Sequence, residues 1–426
     1  MRVHKFGGSS IKDAASMKNV VDILTDYGNP PAVVVVSAIG KTTNLLELVV
    51  SNYFKKTGEA GHYFDTFKSN HTTLITELLG EAHSVLKTVN DLFVEIDWIL
   101  EEDPKDSFDY VYDQIVSIGE LVSSRIMHAY MNHRGLTTEW VDARDIIRTD
   151  ETYRESRINW EKTVPAVKKA ISLAHQNHDY VITQGFIGGT DDNNTTTLGR
   201  EGSDYSAAIL CFCLDAESQT IWKDVPGVLN ADPRRFENAI LLERLSYREA
   251  IEMTYYGASV IHPKTIQPLQ RKNIPLLVRS FLNPGIIGTT ISGDFDAKYP
   301  PMVMVEEDQT LLYITPNDYS FIVEHHLGFL FNLFASHRIF VNMMQNTALS
   351  FVACVPNDVD RLKGAIEALA KDYIITKDEG LQLITVRHFD ETTLHELKEG
   401  RTVIIEERLS NTVQMVTKQF PKLKEK

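Results

Sequence analysis

At 426 residues, with 43% hydrophobic and 24% charged, the chain exceeds what one core usually serves and is expected to fold into two or three domains, not to stay disordered. A formal net charge of -15 without a basic stripe excludes nucleic acid and acidic membrane surfaces as partners. No apolar run approaches the roughly 18 residues that cross a bilayer, and Met1 to Lys5 lead straight into a strand, so a cytoplasmic location is expected.

Residues 3–6 and 32–37 read as short buried strands, with Met17, Val20, Val21 and Leu24 at helical spacing between them. Ser10 with Asp13 resembles a capping box and Gly28 a stop, which makes this a βαβ start and predicts a parallel sheet covered by helices. Residues 45–135 are helical in pattern, broken at Glu101-Glu102-Asp103-Pro104, the last helix running from about Tyr110 to Gly135. Sheet patterns resume at 138–142, 180–184, 220–224 and 275–280, so one α/β unit is expected over 1–282. Cys211, Cys213 and Cys354 are too few for a disulfide framework and read as buried thiols.

Turn residues then cluster at Asn283-Pro284-Gly285, Gly288, Gly293 and Tyr299-Pro300-Pro301, marking 283–309 as a linker. From Thr310 the order is strand (LLYIT), helix (HHLGFLFNLFASH), strand (IFVNMM), strand (LSFVACV) and helix (DVDRLKGAIEALAKD). A weaker copy runs from Ile374 to Lys418. Two successive α+β modules are expected over 310–426.

Two segments carry chemistry. Gly7 and Gly8 directly after the first strand let the backbone approach a phosphate, with Lys5 as a cation at the same strand end, although a glycine pair there is also ordinary turn chemistry. The run from Thr183 to Asp204 is longer and more telling: glycines after a strand, three threonines, then Gly199-Arg200-Glu201-Gly202-Ser203-Asp204 opening an apolar helix. Such helix N-termini attract anions. Arg200 suits a carboxylate or phosphate, while Asp204 could serve as cap, lysine partner or metal neighbour. Glu120 lies in a helix beside Gly119 and small residues, where a solvated glutamate is the ordinary case. Trp222-Lys223-Asp224-Val225-Pro226-Gly227 and Asp232-Pro233-Arg234 form a strand and two turns suited to a base and a diphosphate. Phosphoryl transfer follows, without a Walker A or protein-kinase signature.

In this order KFGGSS, VVSAIGKTTNLL, the GEL segment at Glu120, TQGFIG with TTTLGREGSDYSA, WKDVPG with ADPR, GASVIHPKT and FLNPGIIGT resemble the aspartate kinases of the amino-acid kinase superfamily. The two C-terminal modules look like ACT domains. The resemblance implies transfer of the ATP γ-phosphoryl group to the side chain of L-aspartate, with Mg²⁺, in a monofunctional homo-oligomer paired through the ACT-like modules. It implies Lys5 and Asp204 as catalytic residues. Ser37, Thr43, Glu120, Phe186, Arg200, Glu201, Gly202 and Ser203 would surround the amino acid, Arg200 at its α-carboxylate and Glu120 at its α-ammonium. Lys5, Gly7, Gly8, Ser9, Lys223, Asp224, Leu229, Arg234, Ser259 and Val260 would line the nucleotide.

The chain departs from the family at Ser259, where many relatives have lysine, and at Lys223, where threonine or serine is common. Asn342, Thr347 and Ala348 replace acidic and Ser-Glu positions that commonly take part in effector binding, which leaves an amino-acid effector open. A kinase acting on glutamate or N-acetylglutamate and a non-catalytic regulatory subunit are the competing readings.

Overall fold

The computed structural model describes residues 1–258, 261–293 and 298–419. Its chain divides into two compact units, Met1–Val228 with Leu241–Ile251 and Val260–Phe295, and Leu229–Ile240 with Glu252–Ser259 and Asp296–Lys426.

The first unit opens with β1 (Arg2–Phe6), a single 3-10 turn (Gly8–Ile11), α1 (Ala14–Tyr27) and β2 (Ala32–Val36). Asp13, not Ser10, caps α1, its carboxylate accepting from the Ser16 amide at 2.7 Å. Ser10 is buried in the 3-10 turn and donates to the Trp222 carbonyl instead. The helical layer is α2 (Thr42–Lys55), α3 (Ala60–Leu79), α4 (Val85–Glu101) and α5 (Phe108–His133).

The chain continues through β3 (Thr138–Trp140), α6 (Ala143–Ile146), α7 (Trp160–Ala174), β4 (Tyr180–Gln184), the hairpin β5 (Ile187–Gly189) and β6 (Thr195–Thr197), then α8 (Gly202–Leu214). After β7 (Ser218–Lys223) come β8 (Arg244–Ser246), α9 (Tyr247–Tyr255), α10 (Pro263–Lys272), β9 (Leu276–Ser280) and β10 (Thr289–Ser292). The eight-stranded sheet has the order β3-β4-β2-β1-β7-β9-β10-β8, parallel except where β10 meets β9. Every residue of β2 is buried, as a strand covered on both faces requires; each such valine contributes roughly 1.5–3 kcal/mol.

In register, Phe6, Val36, Gln184 and Trp222 stand level across β1, β2, β4 and β7. The loops after these four strands therefore open on one edge, where parallel α/β sheets bind ligands.

The stretch read as a linker holds two strands. Asn283-Pro284-Gly285 turns β9 back along β10 within the same sheet. The second unit's β11 (Met302–Pro316) likewise begins before Thr310. It is followed by α11 (Glu324–Ser336), β12 (Met343–Asn346), β13 (Phe351–Pro356), α12 (Val359–Leu369), β14 (Tyr373–Arg387), α13 (Glu391–Lys398), β15 (Arg401–Arg408) and β16 (Thr412–Gln419). Of the segment IFVNMM only Met343 and Met344 are strand.

The two modules share one antiparallel sheet, β12-β13-β11-β14-β16-β15. Residues 309–316 of β11 pair with β13 and with the first half of β14, completing the first module. Residues 302–306 pair with 383–387, the half of β14 that also pairs with β16, so they belong to the second. A register shift and the left-handed Asp308 (φ 52°) separate the halves. The second copy looks weaker in the sequence because its first strand lies ahead of the first module. Apolar clusters lie under α11 and α12 and under α13, and a third, including Leu311, Cys354, Leu383 and Val416, joins the two halves of the sheet.

Candidate active site

Lys5 and Asp204 meet. The Lys5 ammonium lies 2.7 Å from one Asp204 oxygen, and the Lys223 ammonium lies 3.9 Å from the other. Lys5 sits in the penultimate position of β1, Lys223 ends β7, and Asp204 occupies the first turn of α8, so neighbouring strands and a helix start place the three together. All three are buried or nearly so.

The chain after β1 is tightly constrained. A Cβ on Gly8 would lie 2.7 Å from both the Ala38 and Gly40 carbonyl oxygens, and the Gly8 carbonyl accepts from the Gly40 amide. Close backbone approach, not flexibility, is thus the reason for glycine here. Gly7 lies beside the Lys5 ammonium and Ser9 is exposed. Ser37 follows β2, its amide bonded to the Phe6 carbonyl, and Thr43 stands in the first turn of α2; both are half-buried.

Glu120 lies midway along α5 at 3% exposure. Burial pushes its carboxyl up to about 8, although the Ala38 amide and the Lys5 ammonium pull it down. Its Oε2 has no hydrogen-bond partner among the described residues. A buried, half-satisfied carboxylate of this kind is costly unless a cation visits it.

The start of α8 packs on the turn after β4. A Cβ on Gly185 would fall 2.4 Å from the Ser203 Cβ, and Phe186, left-handed at φ 71°, donates its amide to the Ser206 hydroxyl at 2.9 Å. Glu201 is also left-handed, and its carboxylate accepts from the His262 amide at 2.8 Å. Gly202 touches Phe186, Ser203 is buried, and Arg200 is exposed with no ion pair among the described residues.

Asp224 directly follows Lys223 at the end of β7. Leu229 and Arg234 fall in the second unit, where Asp232 grips the Arg234 guanidinium at 3.0 and 2.8 Å. Ser259 and Val260 lie outside the described residues.

Sequence reasoning passed over Asp113. Fully buried on α5, it accepts from the Thr197 amide (2.8 Å) and hydroxyl (2.7 Å) and from the Arg154 amide (3.0 Å). It thereby ties the helix carrying Glu120 to the threonine hairpin. The available signal was its place seven residues before Glu120, two turns along one helix face.

Residues 1–280 match the amino acid kinase family. The lysine-sensitive aspartokinase 3 of Escherichia coli is 32% identical over 357 residues, which is 82% of this chain and 76% of that protein. A crystal structure of Escherichia coli aspartokinase III with lysine and aspartate superposes with a TM-score of 0.83 at 26% identity, covering 98% and 95% of the two chains. The same enzyme with aspartate and ADP gives 0.81 over 98% and 96%, also at 26% identity.

Proposed function

This chain belongs to the amino acid kinase family, on its aspartokinase branch, and from that premise we propose how its own residues pass the γ-phosphoryl group of ATP to the side-chain carboxylate of L-aspartate. The observation that supports this reading most is a buried Glu120 oxygen without a partner, under the influence of the same Lys5 that Asp204 holds.

An aspartate side chain is ionised at neutral pH, so it attacks without a general base, and the obstacle is anion meeting anion. One carboxylate oxygen bonds to the γ-phosphorus while the bond to the β,γ-bridging oxygen breaks, and ADP departs with that electron pair. Lys5 neutralises charge on the transferring group, held in place by Asp204. Glu120 receives the α-ammonium and Arg200 the α-carboxylate. Ser37, Thr43 and Ser203 supply hydroxyls, and Phe186, Glu201 and Gly202 shape the wall. Amides of the Gly7-Gly8-Ser9 turn face the phosphates, and Lys223 with Asp224 stands on the nucleotide side. The roles of Leu229, Arg234, Ser259 and Val260 toward the nucleotide rest on the family resemblance alone.

Among the described residues no group of three or more His, Cys, Asp or Glu side chains is arranged to hold a metal. Magnesium bound with the nucleotide would supply further neutralisation between the phosphates, and Asp204 is the carboxylate that would stand on its side of the site.

Hydroxylamine trapping of the acyl phosphate, with aspartate, glutamate and N-acetylglutamate in parallel, tests the reading. Aspartate should give the dominant signal; an equal or larger one from either glutamate compound overturns it.

The acidity of Glu120 has a kinetic consequence. Its raised value leaves the empty site neutral below about 8, whereas an ammonium pairs with the ionised form. The KM for aspartate should therefore fall as pH rises from about 6 to 8, by up to about tenfold per unit. Glu120→Gln should flatten this dependence at a uniformly high KM.

A homo-oligomer is the further proposal for the ACT-like region. Its edge strand β12 exposes Met344, next to Phe340 at 73% exposure, while α11 exposes Phe329 and Phe331. An open edge beside such apolar surface favours self-association. Met344→Lys should lower the molar mass in sedimentation while leaving the monomer folded. The Asn342 amide is taken by Glu306 and Gln309, and the Thr347 hydroxyl by Ser350.

A further inference from the structure

Successive residues of a strand face opposite sides of the sheet. Lys5 and Lys223 point to the side that α8 covers; Arg2, His4, Thr220, Trp222 and Arg279 point to the other, where a cavity of about 460 Å³ lies over β1, β7 and β9. That size suits a small organic ligand.

The lining is chemically specific. Arg279 stands one residue from the end of β9 with its Nε buried and without a hydrogen-bond partner, and no carboxylate pairs with it among the described residues. Arg2 enters from the first residue of β1, its Nε 3.4 Å from Glu217 on the rim, so two guanidiniums face one exposed carboxylate. His4 between them is uncharged at neutral pH: burial lowers it to about 4, one ring nitrogen meets the Gly28 carbonyl and the other meets the Trp222 indole. Half-buried Tyr27 lies 6.3 Å from the Trp222 ring, which at 1% exposure backs the lining from beneath. Arg279 is half-buried, and its planar fork, with the Nε unanswered, matches an oxyanion.

We propose that this cavity is a second ligand site, separate from the Lys5–Asp204 centre, which takes a small oxyanion, carboxylate or phosphate, attached to a planar or apolar body. Arg279 is its principal anchor and Tyr27 its aromatic flank.

The test is calorimetry and thermal unfolding of the full chain saturated with ADP and aspartate, using inorganic phosphate and benzoate as separate probes that distinguish the two oxyanions. At least one probe should bind wild type and raise its midpoint, and Arg279→Met should weaken that binding about tenfold or more. Arg279→Lys should retain part of the affinity. Equal affinity in wild type and Arg279→Met, or no binding of either probe at about 10 mM, overturns the proposal.

Discussion

Lys5→Ala should leave substrate binding largely in place and lower kcat by about 30- to 1000-fold, the counterpart of roughly 2–4 kcal/mol of lost charge stabilisation in the transition state. The ammonium stands near the end of β1 beside the Gly7-Gly8 turn and is held by Asp204 at 2.7 Å. A second effect accompanies it. Removing one member of a buried pair strands the other, and Asp204 would keep only Lys223 at 3.9 Å. The single variant should therefore also be less stable, by about 3 kcal/mol. The double variant Lys5→Ala/Asp204→Ala should recover much of that stability and none of the activity. Steady-state kinetics with denaturant melts separates the two, and near-normal turnover in Lys5→Ala removes the lysine from the mechanism.

Asp113→Ala carries the second large effect, of roughly 2–5 kcal/mol in stability, because it leaves the Thr197 and Arg154 amides without their buried acceptor. Asp113→Asn is the informative companion. Its carbonyl can face the two amides while its NH₂ meets the Thr197 hydroxyl, which turns to accept. Asparagine should thus restore most of the stability and of the aspartate KM, and alanine neither. Burial pushes this carboxyl up to about 6, the Arg154 and Thr197 bonds drawing it back. Since the folded form then holds its proton to higher pH than the unfolded chain does, the contribution of Asp113 to stability should decline as pH rises from about 4 to about 6. Urea midpoints across that range, for wild type against Asp113→Asn, measure the difference. Identical pH profiles would show that the residue does not titrate there.

The segments proposed to handle anions stand out in the sequence because such chemistry is local. Glycines that permit backbone approach, hydroxyls and a helix start must be near neighbours in the chain, as they are from Gly185 to Asp204. Asp113 looked like any helix carboxylate because its partners lie 41 and 84 residues away. Arg234 invited a nucleotide role by residue type, yet Asp232 two positions earlier occupies its fork. Alternation in β11 announced a strand near Thr310 but not that it starts at Met302 and serves two cores. Such pairing is set by strands some seventy residues on, outside any sequence window. The Arg279 cavity was equally hidden, being assembled from three strands that are neighbours only in space.

The shared strand β11 makes the two small modules inseparable in heredity. A crossover or proteolytic cut just before Tyr373 would deliver the rear half without residues 302–306 and leave the forward half lacking its closing partner in β14. Descendants can therefore exchange this pair only as a whole cassette. During translation, too, residues 302–306 must wait for their partners at 383–387, and for Val413 and Met415 beyond them, before their own core can form.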